Sequence, residues 1–231
     1  MIIAFSGSDG AGKSTQIEKL IEGLIAEGRR PLYLWSRGGY TPMMVAAKRV
    51  ILRLLGRRGG QTLDPTVSED YLTKRSVAIK RPVVARLWLV ASILDMALLY
   101  GCYVRFQSML GRAVVCDRYI IDTKIDFERN FDARFNPNGF FWRVLRWFSP
   151  QPDVHFVLTV PVDISLQRSA QKNEPFPDTP ATLDFRLQRY RSDDVLGRSN
   201  VVSLDGTKNI EEIAGEIERV VGDASKRRGR P

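Results

Sequence analysis

Histidine and cysteine are nearly missing from this sequence, which has one histidine, His155, and two cysteines, Cys102 and Cys116, in 231 residues. That scarcity rules out a disulfide framework, a thiolate metal site and histidine-relay catalysis as the organising chemistry. Cys116 closes one apolar run and Cys102 lies in another, so both read as small core residues of a protein in a reducing cytoplasm. His155 falls in a strand-like run and reads as structural. There is no internal repeat and no long linker. No signal peptide is expected, because residues 1–6 already read as strand. Long uncharged apolar runs are also lacking, save Leu87 to Val104. Asp95 sits in its middle and Arg86 flanks it, and such a charge is costly in lipid. A buried core helix is the expectation.

Acidic residues are in deficit. Lysine and arginine number 35 against 26 aspartates and glutamates, a formal charge of +9. A solvated basic surface is the simplest account. Nucleic acid or an anionic membrane surface would be the partners of any excess.

What is present is concentrated at the start. Gly7-Ser8-Asp9-Gly10-Ala11-Gly12-Lys13-Ser14 matches G-x-x-x-x-G-K-[ST], with Thr15 following. Met1–Ser6 reads as a buried strand and Thr15–Ala26 as an amphipathic helix, the context this phosphate-binding loop requires. Backbone N–H groups from Ser8 to Thr15 would face a polyphosphate, helped by the positive end of the new helix. Lys13 would reach the outer phosphates and Ser14 would hold Mg²⁺.

Four more apolar runs follow: Pro31–Trp35, Ala113–Cys116, Val154–Val160 and Val201–Leu204. Helical patterns between them predict an α/β P-loop NTPase fold, three layers with a five-stranded parallel sheet. A last helix starts near Asn209 on Ile210, Ile213, Ile217 and Val220, with Glu211 and Glu212 in its first turn. One domain over residues 1–223 is expected, then a frayed basic tail over 224–231. Gly56–Gly60 and the residues from Arg57 to Thr66 read as a loose break. Gln171–Thr182, with Pro175, Pro177 and Pro180, reads as a mobile segment.

Polar motifs fall at the predicted strand tips. In Val114-Val115-Cys116-Asp117-Arg118-Tyr119, Asp117 could orient Mg²⁺ through water and Arg118 could clamp phosphate. Ser36-Arg37-Gly38-Gly39-Tyr40 offers a cation at a second tip. Arg168 and Lys172, one helical turn apart before the proline-containing segment, read as cations on a lid over about 168–182.

At these residues the chain resembles the thymidylate kinase-like family. Phe5 through Gln16 is similar to that family's start, and Gly111 with Val114 through Tyr119 to its Gly-x-x-Val-x-x-Asp-Arg-Tyr stretch. Pro152-Asp153, Val160-Pro161, Arg168, Phe185-Arg186 with Tyr190, and Asp205 with Ile210 through Ile213 also fit. The resemblance implies ATP-dependent phosphorylation of a nucleoside monophosphate with Mg²⁺, and a homodimer paired through long helices. It also implies that Asp9 meets the acceptor sugar hydroxyl, Arg118 the acceptor phosphate, and Arg37 and Tyr40 the acceptor after the second strand. Ala11 stands where one branch of the family has an arginine, so the catalytic cation would be Arg168 or Lys172. The acceptor side departs: Met96 and Ser92 stand about where the family has a base-reading arginine and a stacking aromatic. Asp122-Thr123-Lys124-Ile125-Asp126-Phe127 replaces its Ser-x-x-Ala-Tyr-Gln pattern.

Two other functions are open to the same residues. A hydroxyl acceptor on a sugar or lipid-linked glycan would use a carboxylate base, with Asp9, Asp95 and Asp122 as candidates. The basic stretch Lys48–Arg58 would then lie on an anionic membrane, although a packed helix with a wet basic face fits it better. A nucleic-acid-binding ATPase would use Phe140 through Phe148, whose helical spacing fits core packing better.

Overall fold

The computed structural model describes residues 1–36, 82–131, 134–171 and 178–228. Strands β1 (Ile2–Gly7), β2 (Pro31–Trp35), β3 (Ala113–Asp117), β4 (Val154–Thr159) and β5 (Val201–Asp205) form one sheet in the order β2-β3-β1-β4-β5. Every pairing is parallel. β1, β3 and β4 are buried along their whole length, which is why they read as unbroken apolar runs.

Alternate residues feed two cores. Ile3, Phe5, Val115, Phe156 and Leu158 pack under helices α1 (Lys13–Ala26) and α9 (Ile210–Arg228). Ile2, Ala4, Val114 and Cys116 pack on the opposite face. That face is covered by α2 (Pro82–Met96), α4 (Ile120–Phe131) and α5 (Phe140–Phe148). Between β4 and β5 lie α6 (Val162–Gln171), α7 (Pro180–Tyr190) and α8 (Asp193–Leu196). An α/β P-loop kinase fold with helices on both faces is thus present, as the sequence predicts.

α2 runs on through a π-helical stretch, Ala97–Val104, into α3 (Arg105–Met109). Gly101 sits in that stretch, where a Cβ would come within 2.0 Å of the Phe148 ring. Its lack of a side chain is what seats α5 against the wide turns.

Three expectations need correcting. The apolar helix is buried on one face only. Leu89, Ile93, Met96, Tyr100 and Val104 enter the core, while Leu87, Leu94, Leu98, Phe106 and Met109 face outward. Among the described residues, Ala85–Met109 is the one helix long and apolar enough to cross a membrane. Cys102 is exposed rather than in the core, because neighbouring Gly101 takes the inward position. The last helix does not fray at residue 224. It continues to Arg228, whose Nη1 donates to Asp153 Oδ2 at 2.7 Å. Residues 229–231, the 56–60 break, the 57–66 loop and the basic stretch 48–58 lie outside the described residues.

Candidate phosphate-transfer site

The sheet order changes direction at β1, which sits between β3 and β4, so a crevice opens beyond the ends of those three strands. The phosphate-binding loop turns there. Gly7 ends β1 opposite Leu158, and a Cβ on it would lie 1.9 Å from the Leu158 carbonyl oxygen. Gly12 is the N-cap of α1 and supplies no side-chain cap, so the first-turn N–H groups stay open to an anion. Ser14 and Thr15 are exposed in that turn, whereas Ser8 and Ala11 are buried. Ser8 Oγ has no partner among the described residues. An uncapped helix end, an unpaired hydroxyl and a lysine held only by carbonyls fit a polyphosphate.

Lys13 Nζ donates to Gly7 O at 3.0 Å and Ser8 O at 2.7 Å, and lies 4.0 Å from Asp9 Oδ1. Burial, together with the nearby Arg118 charge, pushes its pKa down to about 8; Asp9 offsets this only in part. Arg118 Nη2 reaches Asp9 Oδ1 at 2.6 Å. Burial alone would raise the Asp9 carboxyl, but Arg118, Lys13 and Arg186 outweigh it and hold Asp9 well below the ordinary carboxylate range. Lys13, Asp9 and Arg118, all named by the sequence, therefore share one cluster.

Arg118 has a backbone φ of 73°, in the left-handed region that a non-glycine residue enters at a cost of order 1 kcal/mol or more. Both its peptide groups are pinned. Its N–H donates to Phe5 O at 2.8 Å, and its carbonyl accepts from Ser36 Oγ at 3.1 Å. Ser36 is in turn 2.8 Å from the Tyr100 hydroxyl. That pinning throws the guanidinium back over the loop.

Asp117, at the tip of β3, accepts from the Tyr33 hydroxyl at 3.0 Å. With the exposed Ser14 it offers two oxygen donors, which suits an ion that keeps waters and takes phosphate oxygens. Among the described residues, no group of three or more acidic, histidine or cysteine side chains could hold a metal unaided. Arg168 Nη1 donates to Gly10 O at 3.1 Å and Gly206 O at 3.0 Å, so the guanidinium is docked on the loop's backbone. Arg37, Tyr40 and Lys172 lie outside the described residues. Asp95 is buried on α2.

Asp122 has a structural task. Its carboxylate accepts from Ser6 Oγ, from Tyr119 N at 3.0 Å and from the Tyr190 hydroxyl at 2.7 Å, and Arg118 lies 3.6 Å away. Since the Ser6 proton goes to Asp122, His155 Nε2, 2.6 Å from Ser6 Oγ, must carry its own proton as donor. Burial first, with Arg198 adding repulsion, lowers the His155 pKa to about 4 despite Asp122. The folded value lies below the unfolded one of 6.5, so stability is full above pH 6.5 and falls as pH drops toward 4. The loss is about 3 kcal/mol. Denaturant titrations at pH 7 and pH 4 should show His155→Gln losing about that much less than the unaltered protein; equal losses would refute it.

Sequence reasoning missed Arg186 and Asp178. Arg186 is almost wholly buried, with Nη2 2.9 Å from Asp126 Oδ1. Its Nη1 lies 3.3 Å from Asp178 and 3.9 Å from Asp9. A signal existed: Asp122 and Asp126 are four apart on α4, as are Arg186 and Tyr190 on α7, and the two pairs meet face to face.

Loop and sheet together define a P-loop kinase fold. No family model matches the chain. Among curated proteins, the chain is similar to the thymidylate kinase of Caldicellulosiruptor saccharolyticus, 26% identical over 235 residues and covering 98% of each chain. The thymidylate kinase of Thermosipho melanesiensis is 24% identical over 224 residues, 96% of this chain and 97% of the relative. That of Herpetosiphon aurantiacus is 29% identical over 190 residues, 78% of this chain and 65% of the relative. The chain is thymidylate kinase-like.

Proposed function

We propose that this protein transfers the terminal phosphoryl group of ATP to a nucleoside monophosphate, with Mg²⁺. The observation that carries the reading is the convergence of Lys13, Arg118 and Asp9 in one cup at an uncapped helix N-terminus. Open N–H groups of α1 and the Lys13 ammonium hold the donor's phosphates. Arg118, freed from Asp9, takes the acceptor phosphate and sets it in line with the donor. Mg²⁺, when bound through Ser14 and Asp117, neutralises charge on the phosphates. Arg168 and Lys172 are the lid cations of this reading, and closure over the pocket excludes water. No general base is required for a phosphate acceptor. Purified protein given ATP, Mg²⁺ and a panel of nucleoside monophosphates should form ADP with at least one of them. ATP binding with no turnover on the whole panel would sink the reading.

A hydroxyl acceptor is the second reading, favoured by an ionised Asp9 that keeps about a fifth of its side chain exposed beside the loop. ADP formation with a free sugar and not with nucleotides would select it.

The outward face of α2 and α3, carrying Leu87, Leu94, Leu98, Phe106 and Met109, adjoins α5 with its exposed Phe141 and Trp147. A contiguous apolar surface of this kind is uncommon on a monomer. We assign it to a second copy of the chain. Sedimentation should show a dimer that Leu94→Glu converts to monomer; a wild-type monomer at micromolar concentration would refute the pairing.

A further inference from the structure

The acceptor side of the cup is built from carboxylates. Asp9, Asp126 and Asp178 converge on the Arg186 guanidinium at 3.9, 2.9 and 3.3 Å. The arginine lies behind, with 1% of its side chain exposed, while Asp9 keeps 21% and Asp178 15%. One buried cation therefore holds acidic groups side by side with their outer edges toward the pocket.

Ionised carboxylates only accept hydrogen bonds. They repel phosphate and take O–H or N–H groups. Next to them, Lys13, Arg118 and the α1 N-terminus do the reverse. The site thus has an anion half and a hydroxyl half, joined at Asp9, which contacts both Arg118 and Arg186. A phosphate ester of a polyhydroxylated sugar matches both halves at once. Two neighbouring carboxylate edges match two neighbouring hydroxyls better than one.

We propose that the pocket selects a vicinal diol, so that the preferred acceptor is a ribonucleoside monophosphate over its 2′-deoxy counterpart, with Arg186 as the positioning residue that sets the carboxylates for it. The inference rests on the nucleotide-kinase reading above. A deoxy sugar leaves one desolvated carboxylate edge without its donor, and sites built around a substrate hydroxyl discriminate strongly against its absence. Arg186 touches no substrate in this scheme. It fixes Asp9 and Asp178 in one orientation, and neutralises part of their charge so that both can sit near a phosphate.

The test compares ribo- and 2′-deoxyribonucleoside monophosphates carrying the same base, for each of the common bases, with ATP and Mg²⁺. The ribo form should be favoured by at least about tenfold in kcat/KM for whichever base is used best. Arg186→Met should shrink that ratio to about threefold or less, chiefly through acceptor KM, with the KM for ATP little changed. Arg186→Lys should restore part of it. Should Arg186→Met fail to fold, Asp178→Asn reads the same ratio from the other side of the pair. Equal or better use of the deoxy form would overturn the proposal while leaving the kinase reading intact, as would a ribo preference untouched by either variant. Failure of every nucleotide to accept phosphate would overturn the kinase reading itself, and this inference with it.

Discussion

Lys13→Ala should lower the rate of phosphoryl transfer by at least 10²–10³, the range seen when one preorganised charge donor is removed. The fold should survive. Lys13 is buried, and its pKa of about 8 lies below the unfolded value of 10.5. A cation so depressed works against folding at neutral pH by about 3 kcal/mol, fully below pH 8 and relieved as pH rises to 10.5. Removing the amine lifts that penalty, and the two hydrogen bonds lost to Gly7 and Ser8 carbonyls offset part of the gain. The thermal midpoint should therefore stay level or rise at pH 7. Phosphate brought against the amine restores its charge, so nucleotide binding near pH 9 should take up a proton. Calorimetry in buffers of different ionisation enthalpy measures that uptake, and its presence in Lys13→Ala would refute the assignment to this side chain. Retained catalysis in the variant would remove the central role given to the loop.

Gly7→Ala should cost more than any other single methyl added to the sheet. A Cβ there would lie 1.9 Å from the Leu158 carbonyl oxygen, 2.8 Å from its carbon and 3.1 Å from its nitrogen. All three are backbone atoms of a central strand, so nothing can turn aside. The residue also holds φ at 141°, which side chains rarely adopt. Separating β1 from β4 at this end would expose Phe5 and Leu158, both fully buried, and displace the carbonyl that Lys13 binds. A loss of about 4 kcal/mol or more is expected, placing the change in the small class of severe substitutions. Urea unfolding measures it, and a loss under about 1 kcal/mol would show that the strands part easily.

Much of the architecture was legible because parallel strands buried on both faces have no polar positions to blur them. Ile2–Phe5 and Val154–Val160 carry that signal plainly, and the loop between β1 and α1 carries its own. Asp9, Lys13 and Arg118 could be named because each stands beside a strand tip or inside a fixed spacing. Arg186 could not. Its partners Asp126 and Asp178 come from other segments, and an arginine amid a polar helix reads as solvent-facing until the two helices are brought together. Arg228 poses the same problem at the other end: a basic last turn looks frayed unless Asp153, 75 residues earlier, is known to be beside it. Cys102 was misjudged because apolar neighbours say nothing about which way a widened turn points.

The eight wide turns' residues from Ala97 to Val104 make backbone count, and not only side-chain identity, a determinant of this molecule's exterior. An ordinary spiral advances about 100° per residue. Deleting one residue from that stretch would let it rewind, swinging Phe106 and Met109 by roughly that angle relative to Leu87 and Leu94. The rod's far end would then present a different side to the outside without one substitution, so chains differing only by a single gap there would offer different surfaces to whatever they meet.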